Sequence, residues 1–203
     1  MKPAAPIDFL FDFSSPYSYV ASEWIEALAG RHGRSVRWRA VLLGVAFQAA
    51  ELKSPVSYPI KRDYTVYDFA RSARFEGVPY TPPQRFPVAT QNAARVFWWL
   101  AESDPARAAA WAHLGLRAYF TRGDVDLSNV EQLRALATEF GLDADEAQQV
   151  WNDPAWKARL KHECEAAIGQ GFFGAPYFIV DGEPFWGNDR RVQLERWLEH
   201  GPF

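Results

Sequence analysis

The sequence predicts an α/β fold in which a long all-helical insertion separates a βαβ unit at the front from a ββα unit at the end. Three observations predict it. Short apolar runs with strand character lie near the two ends, at residues 7–13 (IDFLFDF), 36–43 (VRWRAVLL) and 176–180 (PYFIV). Between them apolar residues recur every three to four positions, the period of a helix that buries one face. An Asp181-Gly182 pair then follows the last of these runs, and this dipeptide favours a tight hairpin turn.

Residues 7–13 are apolar with acids interspersed and read as a buried strand. Ser14-Ser15-Pro16 follows. Pro16 suits the first turn of a helix, where its missing N–H has no partner to lose, and Ser15 suits the N-cap before it. Tyr19, Val20, Trp24, Ala27 and Leu28 then make one apolar face, and Gly30 and Gly33 mark the helix end. Residues 36–43 begin with alternation and end apolar, as a second strand. Strand, helix, strand in that order requires a right-handed crossover and a parallel pair.

The middle reads as helical. Residues 63–76 form a helix, after which Pro79, Pro82, Pro83 and Pro87 force an extended connection. Residues 90–102 are apolar at Ala93, Val96, Phe97 and Leu100, and the next helix places Trp111, Leu114 and Ala118 on one face. Ser128-x-x-Glu131 reads as a capping box ahead of a stripe of Leu133, Leu136, Ala137 and Phe140. Asp143-x-x-Glu146 starts a short helix. Asp153-Pro154 starts another, with Leu160, Cys164, Ala167 and Ile168 inward. Residues 176–180 and 183–186 are strands about the Asp181-Gly182 turn. Gly187-Asn188-Asp189 leads to a last helix with Leu194, Trp197 and Leu198 inward. This outline is a thioredoxin-like plan. Residues 1–44 and 170–203 form the thioredoxin-like domain and residues 45–169 the helical insertion, with no internal repeat and no linker between autonomous domains.

Composition bounds the chemistry. The 203 residues suit one domain with a large insertion, and 48% hydrophobic with 23% charged residues excludes a disordered chain. A net charge of −3 lacks the basic excess of a nucleic-acid binder, so no nucleic-acid partner is expected. The single Cys excludes an intramolecular disulfide, a Cys-only zinc site and dithiol chemistry within one chain. Aromatic residues make 16% of the chain, enough for a core and for a pocket that takes a flat organic molecule. No segment reaches the ~18–20 apolar residues of a membrane span. Met1-Lys2-Pro3-Ala4-Ala5-Pro6 has no apolar signal region, so a cytoplasmic protein with no membrane partner is expected.

Four pieces fall where a thioredoxin-like fold puts its active site. Ser15-Pro16-Tyr17-Ser18 occupies the strand-to-helix turn where redox members carry Cys-Pro-x-Cys, with both sulfurs replaced by hydroxyls. A helix N-terminus stabilises an anion such as a thiolate, and a protein without its own cysteine there can bring the thiolate in as glutathione. Ser15 would then donate to the glutathione sulfur and lower its pKa. Read alone, Ser15 is an ordinary N-cap. Gly174-Ala175-Pro176 is the second piece: a cis-proline here leaves the Ala175 backbone to pair with the cysteinyl part of glutathione, and a trans proline opening an edge strand is the plainer alternative. Third, Trp186-Gly187-Asn188-Asp189 enters the last helix, where Asn188 can meet the ligand's α-carboxylate and Asp189 its α-ammonium, or either can simply cap the helix. Lys61-Arg62, before the helix holding Tyr64, Asp68 and Arg71, can meet a carboxylate of glutathione or substrate, or remain solvated.

Together these residues resemble a known family. Phe11-Asp12-Phe13-Ser14-Ser15-Pro16-Tyr17-Ser18-Tyr19 resembles the N-terminal motif of bacterial 2-hydroxychromene-2-carboxylate isomerases and the related kappa-class glutathione transferases. Gly174-Ala175-Pro176-Tyr177-Phe178 and Phe185-Trp186-Gly187-Asn188-Asp189-Arg190 are similar to the family's C-terminal signatures. The resemblance spans almost the whole chain. It implies a thioredoxin-like fold of the DsbA type, a homodimer, and glutathione as cofactor. The family's catalytic serine falls on Ser15, and the residue before its cis-proline on Ala175, beside Pro176. Its glutathione-binding run falls on Trp186, Gly187, Asn188 and Asp189, and a ligand-touching insertion lysine on Lys61. Phe47 and Asn92 complete the expected substrate contacts. Ser54-Pro55-Val56 departs from the family's polar substrate pattern.

The implied reaction converts 2-hydroxychromene-2-carboxylate to trans-o-hydroxybenzylidenepyruvate, or isomerises a related small aromatic acid, by reversible addition of the glutathione thiolate. A transferase that keeps the adduct needs the same thiolate and is the nearest alternative. A non-catalytic binding protein of the same fold is another. No G-x-S-x-G elbow surrounds any serine, so a hydrolase is disfavoured. No metal site is expected: His162-Glu163 begins like H-E-x-x-H, but position 166 is Ala. Cys164 lies on an apolar stripe and reads as core.

Overall fold

A computed structural model describes residues 5–203; residues 1–4, part of the terminus read above as lacking a signal region, lie outside the described residues. Four strands, β1 (Ile7–Phe11), β2 (Val36–Ala40), β3 (Tyr177–Val180) and β4 (Glu183–Trp186), form one sheet in the order β2-β1-β3-β4. β1 and β2 are parallel, with Phe9 opposite Trp38, as the crossover requires. β3 runs antiparallel to β1 with Phe178 opposite Phe9, and β4 runs antiparallel to β3. Every residue of β1 is buried, which explains its near-continuous apolar sequence. Its one charged residue, Asp8, is ion-paired with Arg37 on β2. Asp181 and Gly182 have φ of 55° and 90°, the two positive values that a type I′ hairpin turn demands.

The first connection differs from the expected single helix. α1 (Pro16–Ser22) and α2 (Ile25–Arg31) are separated at Glu23-Trp24, where the backbone N–H groups bond back three residues to Val20 and Ala21 rather than four. The break turns Trp24 so that its indole Nε1 donates to Asn188 Oδ1 at 2.8 Å, tying the crossover to the last segment of the chain. The second strand is also shorter than expected. It stops at Ala40, and α3 (Leu43–Ala49) begins because the Leu43 N–H is taken by the Asp12 carboxylate, not by a neighbouring strand.

The insertion continues through α4 (Pro59–Phe75), α5 (Gln91–Ser103), α6 (Pro105–Thr121), α7 (Val130–Glu139), α8 (Ala144–Asn152) and α9 (Pro154–Gly169), and α10 (Arg191–His200) closes the chain. α4 starts four residues ahead of the expected 63, because Pro59 supplies its first turn. The expected capping box at Ser128 is corrected by one position. The Ser128 hydroxyl donates to Asp126, and Asn129 caps α7 by accepting from the Gln132 N–H at 3.1 Å. Asp143 and Asp153 cap α8 and α9 as read. Among the described residues, no helix is long and apolar enough to cross a membrane.

The sheet and insertion share one core. Phe9, Phe11, Trp38, Phe97 and Phe178 meet edge-on or stacked across β1, β2, β3 and α5, and the Trp98 indole donates to the Ala40 carbonyl at 2.9 Å, docking α5 on β2. α6 comes close enough that a Cβ on Gly115 would lie 2.8 Å from the ring of buried Phe13. Gly115→Ala is therefore expected to destabilise the fold. Overpacking costs about 1–3 kcal/mol, and the ~1 kcal/mol gain in helix propensity offsets only part of it. Urea unfolding checks this; a midpoint at or above that of the wild type would show that the Phe13 ring yields freely.

Candidate active site

The site begins at the C-terminal end of β1. Ser15 caps α1 with extended backbone (φ −95°, ψ 112°), and Pro16 fills the first helical position. The Ser15 Oγ accepts from the Ser18 N–H at 3.1 Å and donates to the Ala175 carbonyl at 3.1 Å, joining two segments 160 residues apart. The Ala175–Pro176 peptide is cis. Beyond β4, the Gly187 N–H donates to the Pro176 carbonyl at 3.0 Å, which folds residues 186–190 back over the same place. Two glycines make this approach possible. A Cβ on Gly174 would lie 2.5 Å from the Trp186 Nε1, and Gly187 has φ +111° with a Cβ position that would collide with Asp189 Oδ1.

Asp12 lies under the site. Its carboxylate is buried and accepts from the Ser14 N–H (2.7 Å), the Leu43 N–H (2.7 Å) and the Thr90 hydroxyl (2.9 Å). The end of β1, the start of α3 and the start of α5 thus converge on one side chain. Burial pushes its pKa up, against the lowering effect of the hydrogen bonds it accepts. Across the opening, Tyr17 donates to Asp68 of α4 at 2.5 Å, and Arg71 holds the same carboxylate while donating to the Tyr64 hydroxyl at 2.8 Å. Burial and the neighbouring Asp68 push the Tyr17 phenol up, so it stays protonated.

Between these groups is a cleft of about 900 Å³. One wall comes from the thioredoxin-like scaffold, through Ser14 to Tyr17, Gly174, Ala175 and residues 186–190; the other comes from the insertion, through α3, α4 and the segment leading into α5. Of the residues singled out in the sequence, Ser15, Ala175, Trp186, Gly187, Asn188, Asp189 and Phe47 line this one cleft. Pro176 is buried directly behind Ala175. Lys61 and Asn92 are not brought to it. Lys61 is exposed with its Nζ over the Tyr58 ring at 5.3 Å, and the Asn92 carbonyl accepts from Arg95 at 3.0 Å. Their neighbours Tyr64, Asp68, Thr90 and Gln91 take those places instead. Asn188 is buried with its Oδ1 accepting from Trp24, which orients the amide and leaves its NH2 group unused among the described residues.

Asp12 and the Tyr17–Asp68 pair were not singled out as site residues. Asp12 ends a strand-like run and reads as an ordinary polar residue until Leu43 and Thr90 are known to lie beside it. The signal for Tyr17 was its place two residues beyond Ser15. Cys164 is core as read: buried on α9, with its thiol pushed up to about 11 by desolvation.

The DSBA-like thioredoxin domain family matches residues 6–199. A 2-hydroxychromene-2-carboxylate isomerase from Sphingobium xenophagum is 32% identical over 197 residues, covering 95% of this chain and 97% of that one. A solved structure of a 2-hydroxychromene-2-carboxylate isomerase superposes with a TM-score of 0.84 at 28% identity, covering 95% of this chain and 94% of that one. Glutathione S-transferase kappa 1 of Caenorhabditis elegans is 28% identical over 200 residues, covering 91% of this chain and 86% of that one.

Two outcomes follow from the geometry. The unfolded chain releases the Asp12 proton at the ordinary value of about 3.9, while the folded chain holds it to higher pH. Between those values the unfolded state binds fewer protons, so this group's contribution to stability falls as pH rises. The stability of the wild type relative to Asp12→Asn should therefore fall as pH rises above 4, read by denaturant unfolding at a series of pH values; a difference that grows with pH would mean the carboxylate is held charged. The Ser18 hydroxyl is fully buried and has no partner among the described residues. Ser18→Ala should raise stability by on the order of 1 kcal/mol, the desolvation penalty of an unpaired hydroxyl. A loss of stability would mean that this hydroxyl has a partner.

Proposed function

Because the chain belongs to the DSBA-like thioredoxin family, and within it to the 2-hydroxychromene-2-carboxylate isomerase family, we propose that it is a glutathione-dependent isomerase of 2-hydroxychromene-2-carboxylate or a related conjugated aromatic compound. The observation that carries this reading is the Ser15 hydroxyl, held at the first turn of α1 against the Ala175 carbonyl, where an oxidoreductase of this fold would need a thiol. The cleft fits glutathione in its donors and acceptors. The Ala175 backbone suits an extended peptide, the Asn188 NH2 a carboxylate, and the exposed Asp189 carboxylate an ammonium group.

The chemistry glutathione supplies is reversible thiolate addition to an electron-poor conjugated carbon, so that a double bond becomes single, rotates, and re-forms on elimination. The chain's own residues prepare that step. Ser15 has one hydroxyl proton, shared with Ala175 in the free protein. Turning it toward a sulfur anion exchanges a neutral hydrogen bond for a charge-assisted one and favours the ionised thiol. The partial positive charge of the α1 N-terminus acts in the same direction. The insertion wall presents Phe47, Phe69 and Phe86, which suit a flat ring and exclude water from the reacting carbon. A homodimer belongs to the same proposal. Ile60, Tyr64, Tyr67 and Phe75 form an exposed apolar stripe along α4, a face suited to burial against a second copy.

Turnover of the chromene acid with and without glutathione tests the reading directly. Ser15→Ala should keep the fold and lower turnover on the order of 10–100-fold, the rate equivalent of a lost hydrogen bond to a charged group. The pKa of the bound thiol, followed by thiolate absorbance, should rise. An unchanged rate and pKa would reduce Ser15 to a helix cap, and accumulation of a stable adduct would make the protein a transferase.

A further inference from the structure

The charges around the cleft narrow the electrophile, on the reading that this is the glutathione-dependent site. The insertion wall is apolar at Val45, Phe47, Pro55, Phe69, Phe86 and Val88. Among the described residues that line it, Asp68 is the one ionisable carboxylate and there is no Lys, Arg or His. The cations expected there from sequence do not reach it. Neither Lys61 nor Arg62 is part of the lining, and Lys61 lies over Tyr58. Arg71 is close by through its contact with Asp68, but its guanidinium is committed to that carboxylate and to the Tyr64 hydroxyl. Arg190 lines the opposite wall, 3.5 Å from Asp189, within the run assigned to glutathione.

A substrate carboxylate placed against the insertion wall would leave water, meet Asp68 and find no free cation. An unpaired buried charge beside a like charge is strongly disfavoured. A neutral carbonyl needs only one neutral donor, and the Gln91 amide lines the cleft with no protein partner among the described hydrogen bonds. We infer that the preferred electrophile is uncharged where it meets the insertion wall: an aromatic conjugated ketone, aldehyde or ester in place of an aromatic acid. Asp68 is the specificity determinant, because it both repels an anion and occupies Arg71.

The test compares the chromene acid with its methyl ester, each with and without glutathione, in the wild type and in Asp68→Asn. The ester is expected to have at least a tenfold higher kcat/KM in the wild type. The amide variant removes the repelling charge and releases Arg71, so the ratio should move toward the acid by tenfold or more. A wild-type preference for the acid, or a ratio near one, overturns the inference while leaving the isomerase reading intact. A ratio unmoved in Asp68→Asn overturns the role given to that residue. Absence of glutathione-dependent turnover of either compound sinks the isomerase reading. The inference is then read from binding alone, by calorimetric titration of benzylideneacetone and trans-cinnamate into protein with glutathione present. Tighter binding of the neutral ketone supports it, and equal or tighter binding of cinnamate overturns it.

Discussion

The Asp12 carboxylate accepts hydrogen bonds from three parts of the chain that are far apart in sequence: the turn after β1, the first residue of α3 and the residue before α5. Each of those segments contributes to the cleft. The turn carries Ser14 and Ser15, α3 carries Val45 and Phe47, and the α5 entry carries Thr90 and Gln91. A buried acceptor with three fixed donors tolerates little displacement of any of them, since a stranded donor costs about 1–3 kcal/mol. The width of the cleft is therefore set from below by one side chain, which also explains why β2 ends at Ala40.

Above that anchor the scaffold uses backbone more than side chains. The Ala175 carbonyl receives the Ser15 hydroxyl, the Pro176 carbonyl receives the Gly187 N–H, and glycines at 174 and 187 let the Trp186 ring and the Asp189 carboxylate come close. At the head of α1 this frame carries a hydroxyl, that of Ser15.

The insertion supplies the second wall. α4 is largely exposed: only Thr65, Phe69 and Ala73 are buried among its 17 residues. It is tied to α1 through Tyr17, whose ring meets Phe69 edge-on at 5.1 Å while its hydroxyl holds Asp68. The carboxylate that fixes the wall through Tyr17 also holds Arg71, so shape and charge pairing on this side of the cleft have one origin.

Local rules were enough to read much of this from the sequence. Apolar runs of strand length, the Asp181-Gly182 turn, the Pro16 and Pro154 helix starts and the Asp143 and Asp153 caps depend on residues within a few positions of one another. The order of elements then fixed the parallel β1–β2 pair and placed Ser15, Ala175 and residues 186–189 at one end of the sheet. Tertiary structure decided whatever depends on a partner distant in sequence. Trp24 breaks the crossover helix because Asn188 is there to receive its indole, and β2 gives way to α3 because Asp12 takes the Leu43 N–H. Lys61 lies within two helical turns of Asp68 yet outside the cleft, because α4 turns Asp68 and Phe69 toward it instead. Helical spacing states which residues share a face, but only packing against other elements decides which face is buried.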